Sequence, residues 1–165
     1  MTLAPRRIIP PVPPGWRSWE DIMGEALAEA RLAREAGEVP VGAVLLSGHG
    51  KILARSGNAV EQLRDPSAHA EMLVLREACR VTGNHRLEGC VLAVTLEPCL
   101  MCAGALVHAR LAGLVYGAPD PAAGAVQSCL EALDMPFLNH RVWHMGRIRA
   151  AGCADMLRGF FAERR

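Results

Sequence analysis

Hydrophobic positions along this chain alternate between two periods, and the alternation sets out the fold. Ile22, Met23, Ala26, Leu27, Ala30 and Ala33 recur at the spacing of one helical face. Ser18 before them, with Asp21 three residues on, reads as a capping box, and Gly37 as the stop. "VGAVLLS" (41–47) and "KILARSGN" (51–58) flank "GHG" and predict a hairpin. A second helix is expected from about Ala68 to Gly83, with Met72, Leu75 and Cys79 on one face. "CVLAVT" (90–95) and "LVY" (114–116) read as buried strands, separated by a helix that Pro98 opens. A short helix over 128–133, a strand over about 141–149 and a helix over about 151–163 complete the series. Strands alternating with helices imply right-handed crossovers and a sheet covered on both faces, a three-layer α/β/α domain.

That domain occupies 18–165, because residues 1–17 contain "PPVPPG", which supports neither helix nor central strand, and are expected to form a flexible tail. No apolar run reaches the roughly 18 residues of a membrane span, and no secretory signal is visible. Without an export signal, the six cysteines read as reduced thiols, and only Cys99 and Cys102 stand at ligand spacing. The net charge of +1 gives no strong electrostatic pull toward nucleic acid. Its distribution is uneven: residues 18–40 carry six acids against two arginines, and 139–165 six arginines against two acids. The basic C-terminal face fits phosphate binding or a solvated helix surface equally.

The chemistry concentrates in "SAHAEM" (67–72) and "LEPCLMC" (96–102). Cys99 and Cys102 are three apart, so one helical turn puts both thiols on one side, which suits a zinc pair or a redox pair. His69 and Glu71 are two apart and would diverge in mid-helix. They can serve one site only from a helix end. Pro66 fits a helix start and Ser67 an N-cap, placing both in the first turn, as Cys99 is placed by Pro98. Two helix N-termini aimed at one point favour thiolates and hydroxide. Zinc held by His69, Cys99 and Cys102 would keep its fourth position for water, with Glu71 as the unliganded base. A buried histidine, a surface glutamate and a redox CxxC are the alternative.

"HAE" (69–71) with "PCLMC" (98–102) matches the H-x-E…P-C-x-x-C signature of zinc nucleobase deaminases. Together with "EVPVGAVL" (38–45), "DPSAHAEM" (65–72), "VTLEPCLMCAGALVHAR" (94–110), "YGAPD" (116–120), "NHRV" (139–142) and "GFFAERR" (159–165), the chain resembles the bacterial tRNA-specific adenosine deaminases, a branch of the zinc-dependent cytidine/deoxycytidylate deaminase superfamily. The resemblance implies a cytidine-deaminase-like sandwich on a mixed sheet of about five strands. It also implies hydrolytic conversion of adenosine to inosine at the wobble position of a tRNA anticodon, by a cytoplasmic homodimer with one zinc per subunit. His69, Cys99 and Cys102 would hold zinc and Glu71 would shuttle protons. The Ala70 backbone and the Asn58 side chain would contact the flipped base, and Val39, Asp120 and Asn139 would line the anticodon-loop site. Pro119 and Ala122 stand where the family carries basic residues. That departure keeps a second reading, deamination of a free base or nucleoside of the guanine or cytosine type.

Overall fold

The computed structural model describes residues 9–165. Helix α1 (Trp19–Glu35) begins where the sequence puts it, with the Ser18 hydroxyl accepting the Asp21 N–H at 3.0 Å. Its end is a Schellman turn: Gly37, at φ +83°, bonds back to Arg34, and the Glu38 N–H reaches Ala33 O at 2.9 Å. The predicted apolar face of α1 is buried, Ile22 and Met23 completely, each worth about 1.5–3 kcal/mol of transfer free energy.

Strands β1 (Gly42–Leu46) and β2 (Ile52–Gly57) form the expected hairpin. Gly42 and Gly57 pair across it directly beneath α1. A Cβ on Gly42 would sit 2.1 Å from Ala26 O, and one on Gly57 2.7 Å from the Ala33 methyl, so these glycines let the helix lie against the sheet. After α3 (Ala70–Thr82) come β3 (Val91–Leu96), α4 (Leu100–His108), β4 (Gly113–Ala118), β5 (Trp143–Met145) and α5 (Ala150–Ala162). The sheet runs β2-β1-β3-β4-β5, antiparallel as far as β3 and parallel beyond it. Alternation splits each strand between two cores. Leu92, Val94, Leu114 and Tyr116 meet residues of α3 and α4 on one face, whereas Val91, Ala93 and Val115 meet residues of α1 and α5 on the other. The three-layer mixed architecture is the one expected.

Several local expectations shift. A four-residue helix, α2 (Val60–Leu63), follows β2 and is too short to show a period in sequence. Ser67 does not cap α3. Its N–H and hydroxyl both donate to Asp65 Oδ1, at 2.8 and 2.7 Å, and His69 takes the N-cap position. The helix expected over 128–133 is only a 3₁₀ turn at Ala132–Asp134. The strand expected over 141–149 stops at Met145, because Arg147 and Arg149 take positive φ (70° and 53°) and leave the extended region. Of the expected tail, residues 1–8 lie outside the described residues. The next stretch packs on the domain: Trp16 Nε1 donates to Gly50 O at 2.8 Å, Trp19 Nε1 to Pro10 O at 3.2 Å, and Val12 and Trp16 pack against the α1-side core.

Candidate active site

The site lies at the C-terminal ends of the parallel strands, where β3 and β4 release the chain toward α4 and the 119–131 loop. His69 is the N-cap of α3 and Cys99 the N-cap of α4, each one step earlier than the first-turn placement read from the prolines. Both have extended backbone (ψ 150° and 174°), which turns the side chain across the helix end. Cys102 follows in the first turn of α4 and Glu71 in the first turn of α3. Two helix N-termini therefore point at one place, as the spacing required.

His69 Nδ1 lies 3.6 Å from Cys99 Sγ and 3.6 Å from Cys102 Sγ, and the three donor atoms fall within 4.8 Å of one another. A tetrahedral zinc with bonds of about 2.3 Å to sulfur and about 2.0–2.1 Å to nitrogen separates those ligand atoms by about 3.6 Å. The donor set thus has the dimensions and the softness to hold such an ion. Among the described residues this metal-capable group has three members, so a bound ion keeps a coordination position for another ligand. The thiols divide their proton unevenly. A hydrogen bond from Cys102, aided by the nearby N–H groups of Cys102 and Met101 and by His69, outweighs burial and lowers Cys99 to about 5. The same bond, with burial and the Glu71 charge, pushes Cys102 up.

Glu71 is 4% exposed and lines the same cavity as His69 and Cys99. Burial pushes its carboxyl up to about 7, against the opposing effects of its own N–H and His69. A carboxyl so placed can both accept and return a proton near neutral pH. A divalent cation beside it would draw the value down.

These groups open onto a cavity of about 290 Å³. Val39, Asn58 and Asp120 line it with His69, Glu71 and Cys99, while Val41, Val60 and Leu96 give it apolar walls. Ala70, fully buried, is the first residue of α3, and its N–H has no partner within the helix. Asn139 does not line this cavity. It accepts from Arg110 Nη1 at 2.9 Å and belongs to a separate cavity of about 550 Å³ beside α4, with Leu100, Phe137 and Leu138.

Sequence reasoning passed over two carboxylates, Glu38 and Glu97, each 2% exposed. Glu97 Oε1 accepts the N–H groups of Val126, Gln127 and Ser128 at 3.1, 2.7 and 2.9 Å. Its Oε2 accepts Asp120 N–H at 3.0 Å and the Ser128 hydroxyl. Gly124 must lack a side chain there, since a Cβ would lie 2.5 Å from the Glu97 carboxyl carbon. Burial disfavours this charge, but the Ser128 hydroxyl and the Asp120, Gln127 and Ser128 N–H groups overcome it and hold the carboxyl at about 2. One side chain thereby anchors the cavity wall that carries Asp120. Asp120 Oδ1 in turn accepts the N–H groups of Ala122 and Ala123, at 3.0 and 3.2 Å. The available signal was a lone charge, Glu97, closing a buried apolar strand.

Residues 17–165 match the family model of MafB19-like deaminases. The chain is 48% identical over 141 residues to the tRNA-specific adenosine deaminase of Aquifex aeolicus (strain VF5), covering 85% of this chain and 91% of that one. It superposes with TM-score 0.80 and 45% identity on a tRNA:A34 deaminase structure from a study of A-to-I editing at the wobble position of transfer RNA. That match covers 83% of this chain and 99% of the other. A guanine deaminase from Nitrosomonas europaea superposes with TM-score 0.72 at 26% identity over 98% of both chains.

Proposed function

The chain belongs to the MafB19-like deaminase family, and on that premise we propose that it deaminates adenosine to inosine at the wobble position of a tRNA anticodon. The observation that carries this reading is the meeting of His69, Cys99 and Cys102 beside buried Glu71, on a cavity of base-binding size and make-up. An extruded base enters against Val39, Val41 and Leu96, which exclude water from its faces, while the Asn58 amide and the Ala70 N–H offer polar contacts at its edge. The wobble base suits such a cavity because the anticodon loop is already single-stranded and extrusion costs little. The chemistry that zinc supplies, when held by His69 Nδ1 and the two thiolates, is Lewis acidity that makes water a nucleophile near neutral pH. Glu71 takes the proton of the attacking water on a carboxylate oxygen and gives it to N1 of the purine as C6 becomes tetrahedral. It then moves a second proton to the C6 amine, which leaves as ammonia. Water is consumed and inosine remains.

Two further parts of the proposal rest on the surface. Leu100 (60% exposed) and Phe137 (80%) flank the apolar cavity beside α4, which supports a homodimer closed over that face. Asn139 lies there, where a partner subunit would cover it. No helix among the described residues is long and apolar enough to cross a membrane, and the described cysteines are free thiols, as is usual in a reducing compartment; both accord with a cytoplasmic enzyme.

The test is incubation of the zinc-loaded protein with an adenosine-wobble tRNA and, separately, with free adenine and guanine. Inosine at the wobble position with little ammonia from the free bases is the expected result. Rapid guanine deamination with untouched tRNA would instead establish the free-base reading, which the missing cations at Pro119 and Ala122 favour.

A further inference from the structure

Glu38 reaches the interior by construction: the Schellman turn at Gly37 ends α1 and points the next side chain under the loop after β2. All three donors to its carboxylate come from the segment after β2, of which Asn58 and Glu61 line the catalytic cavity. Oε1 accepts the Gln62 N–H at 2.7 Å, and Oε2 accepts the Glu61 N–H and Asn58 Nδ2, both at 3.3 Å. The first two belong to α2, whose N-cap, Ala59, has no side chain able to cap it, so Glu38 does so from 23 or 24 residues away. The third contact fixes an orientation. A carboxylate only accepts, so the Asn58 amide must turn its nitrogen toward Glu38 and its oxygen away. The Asn58 backbone N–H donates to Val41 O at 2.9 Å, which fixes where the residue sits, and its side chain lines the cavity with His69 and Glu71.

We propose that Glu38 is a positioning residue of this deaminase: it sets which end of the Asn58 amide faces the substrate base and holds α2 as that wall of the cavity. The inference rests on the deaminase reading above and adds a source of base discrimination that acts through Asn58, from a carboxylate that also lines the cavity beside it. Glutamine at 38 keeps the volume but offers an N–H₂ where Asn58 also offers one. With its single acceptor oxygen kept on the short bond to the Gln62 N–H, the repulsion is relieved by a flip of the Asn58 amide, which reverses the donor and acceptor that Asn58 presents to the base.

A double-mutant cycle on the zinc-loaded enzyme tests this with wobble-adenosine RNA as substrate. Glu38→Gln should lower kcat/KM about ten- to hundredfold with zinc content unchanged, the size expected for a charge-assisted hydrogen bond. In an Asn58→Ala background the same change should cost less than about threefold, because the group it acts through is gone. Equal cost in both backgrounds, or none in either, overturns the proposal. A second arm needs no activity. Asn58→Asp sets two carboxylates face to face and should lower the melting temperature, and adding Glu38→Gln should recover most of the loss by restoring one donor and one acceptor. Additive losses in that arm also overturn it. Wild-type protein that leaves the wobble adenosine unconverted would sink the functional reading, while the thermal arm would still decide the contact.

Discussion

Replacing Glu97 with glutamine removes the charge that five donors converge on, and the consequence should depend on pH in a calculable way. In the folded protein the Glu97 carboxyl sits at about 2, against 4.5 for an unconstrained glutamate. That gap corresponds to at most about 3.4 kcal/mol, and to about 2 kcal/mol after allowing for solvent screening through the surrounding surface loop. Because the folded value is depressed, the contribution is fully present above about 4.5 and is lost as pH falls toward about 2. Glutamine can accept from fewer N–H groups, and whichever way its amide turns, its N–H₂ faces part of the same donor set. Urea unfolding of wild type and Glu97→Gln should therefore differ by about 2 kcal/mol at pH 6.5, and by less than half of that at pH 3. The other carboxylates and the thiols titrate alike in both proteins and cancel in the comparison. A difference that stays constant across this range would mean that packing, and not the charge with its donors, is what Glu97 contributes.

Cys99→Ser should leave the protein with well under one zinc per subunit by elemental analysis, since a neutral hydroxyl replaces a thiolate held at about 5. Leu100→Asp with Phe137→Asp should turn the proposed dimer into monomers by light scattering, yet change monomer stability by no more than about 0.5 kcal/mol per site, because both side chains are exposed. Binding of tRNA should weaken steeply with salt if several phosphates are contacted, and a flat dependence would remove RNA as the partner.

The larger elements were legible because burial follows period. The α1 stripe at 22, 23, 26, 27, 30 and 33 and the runs at 90–95 and 114–116 each state which face is inside. The site was legible for a different reason. His69 and Glu71, two residues apart, are incompatible with one helix face, and the two prolines supplied helix starts nearby. The starts were read slightly out of register, since Asp65 competes for Ser67 and leaves His69 as the cap. What escaped was long-range and polar. The contacts of Glu38 with α2 span 23 and 24 residues, and those of Glu97 with the 120–128 loop span 23 to 31. No local pattern marks such pairs. The placement of Asn139 beside α4 likewise depends on how the 119–142 segment folds back, which its composition does not reveal.

The account depends on Glu71 moving protons beside a metal held by His69, Cys99 and Cys102, and single-turnover conversion of a wobble-adenosine RNA by Glu71→Gln tests that directly. With zinc content matched to wild type, the rate of inosine formation should fall by about 10²–10⁴-fold while RNA affinity is unchanged. A Glu71→Gln enzyme that converts the base within a fewfold of the wild-type rate would contradict it.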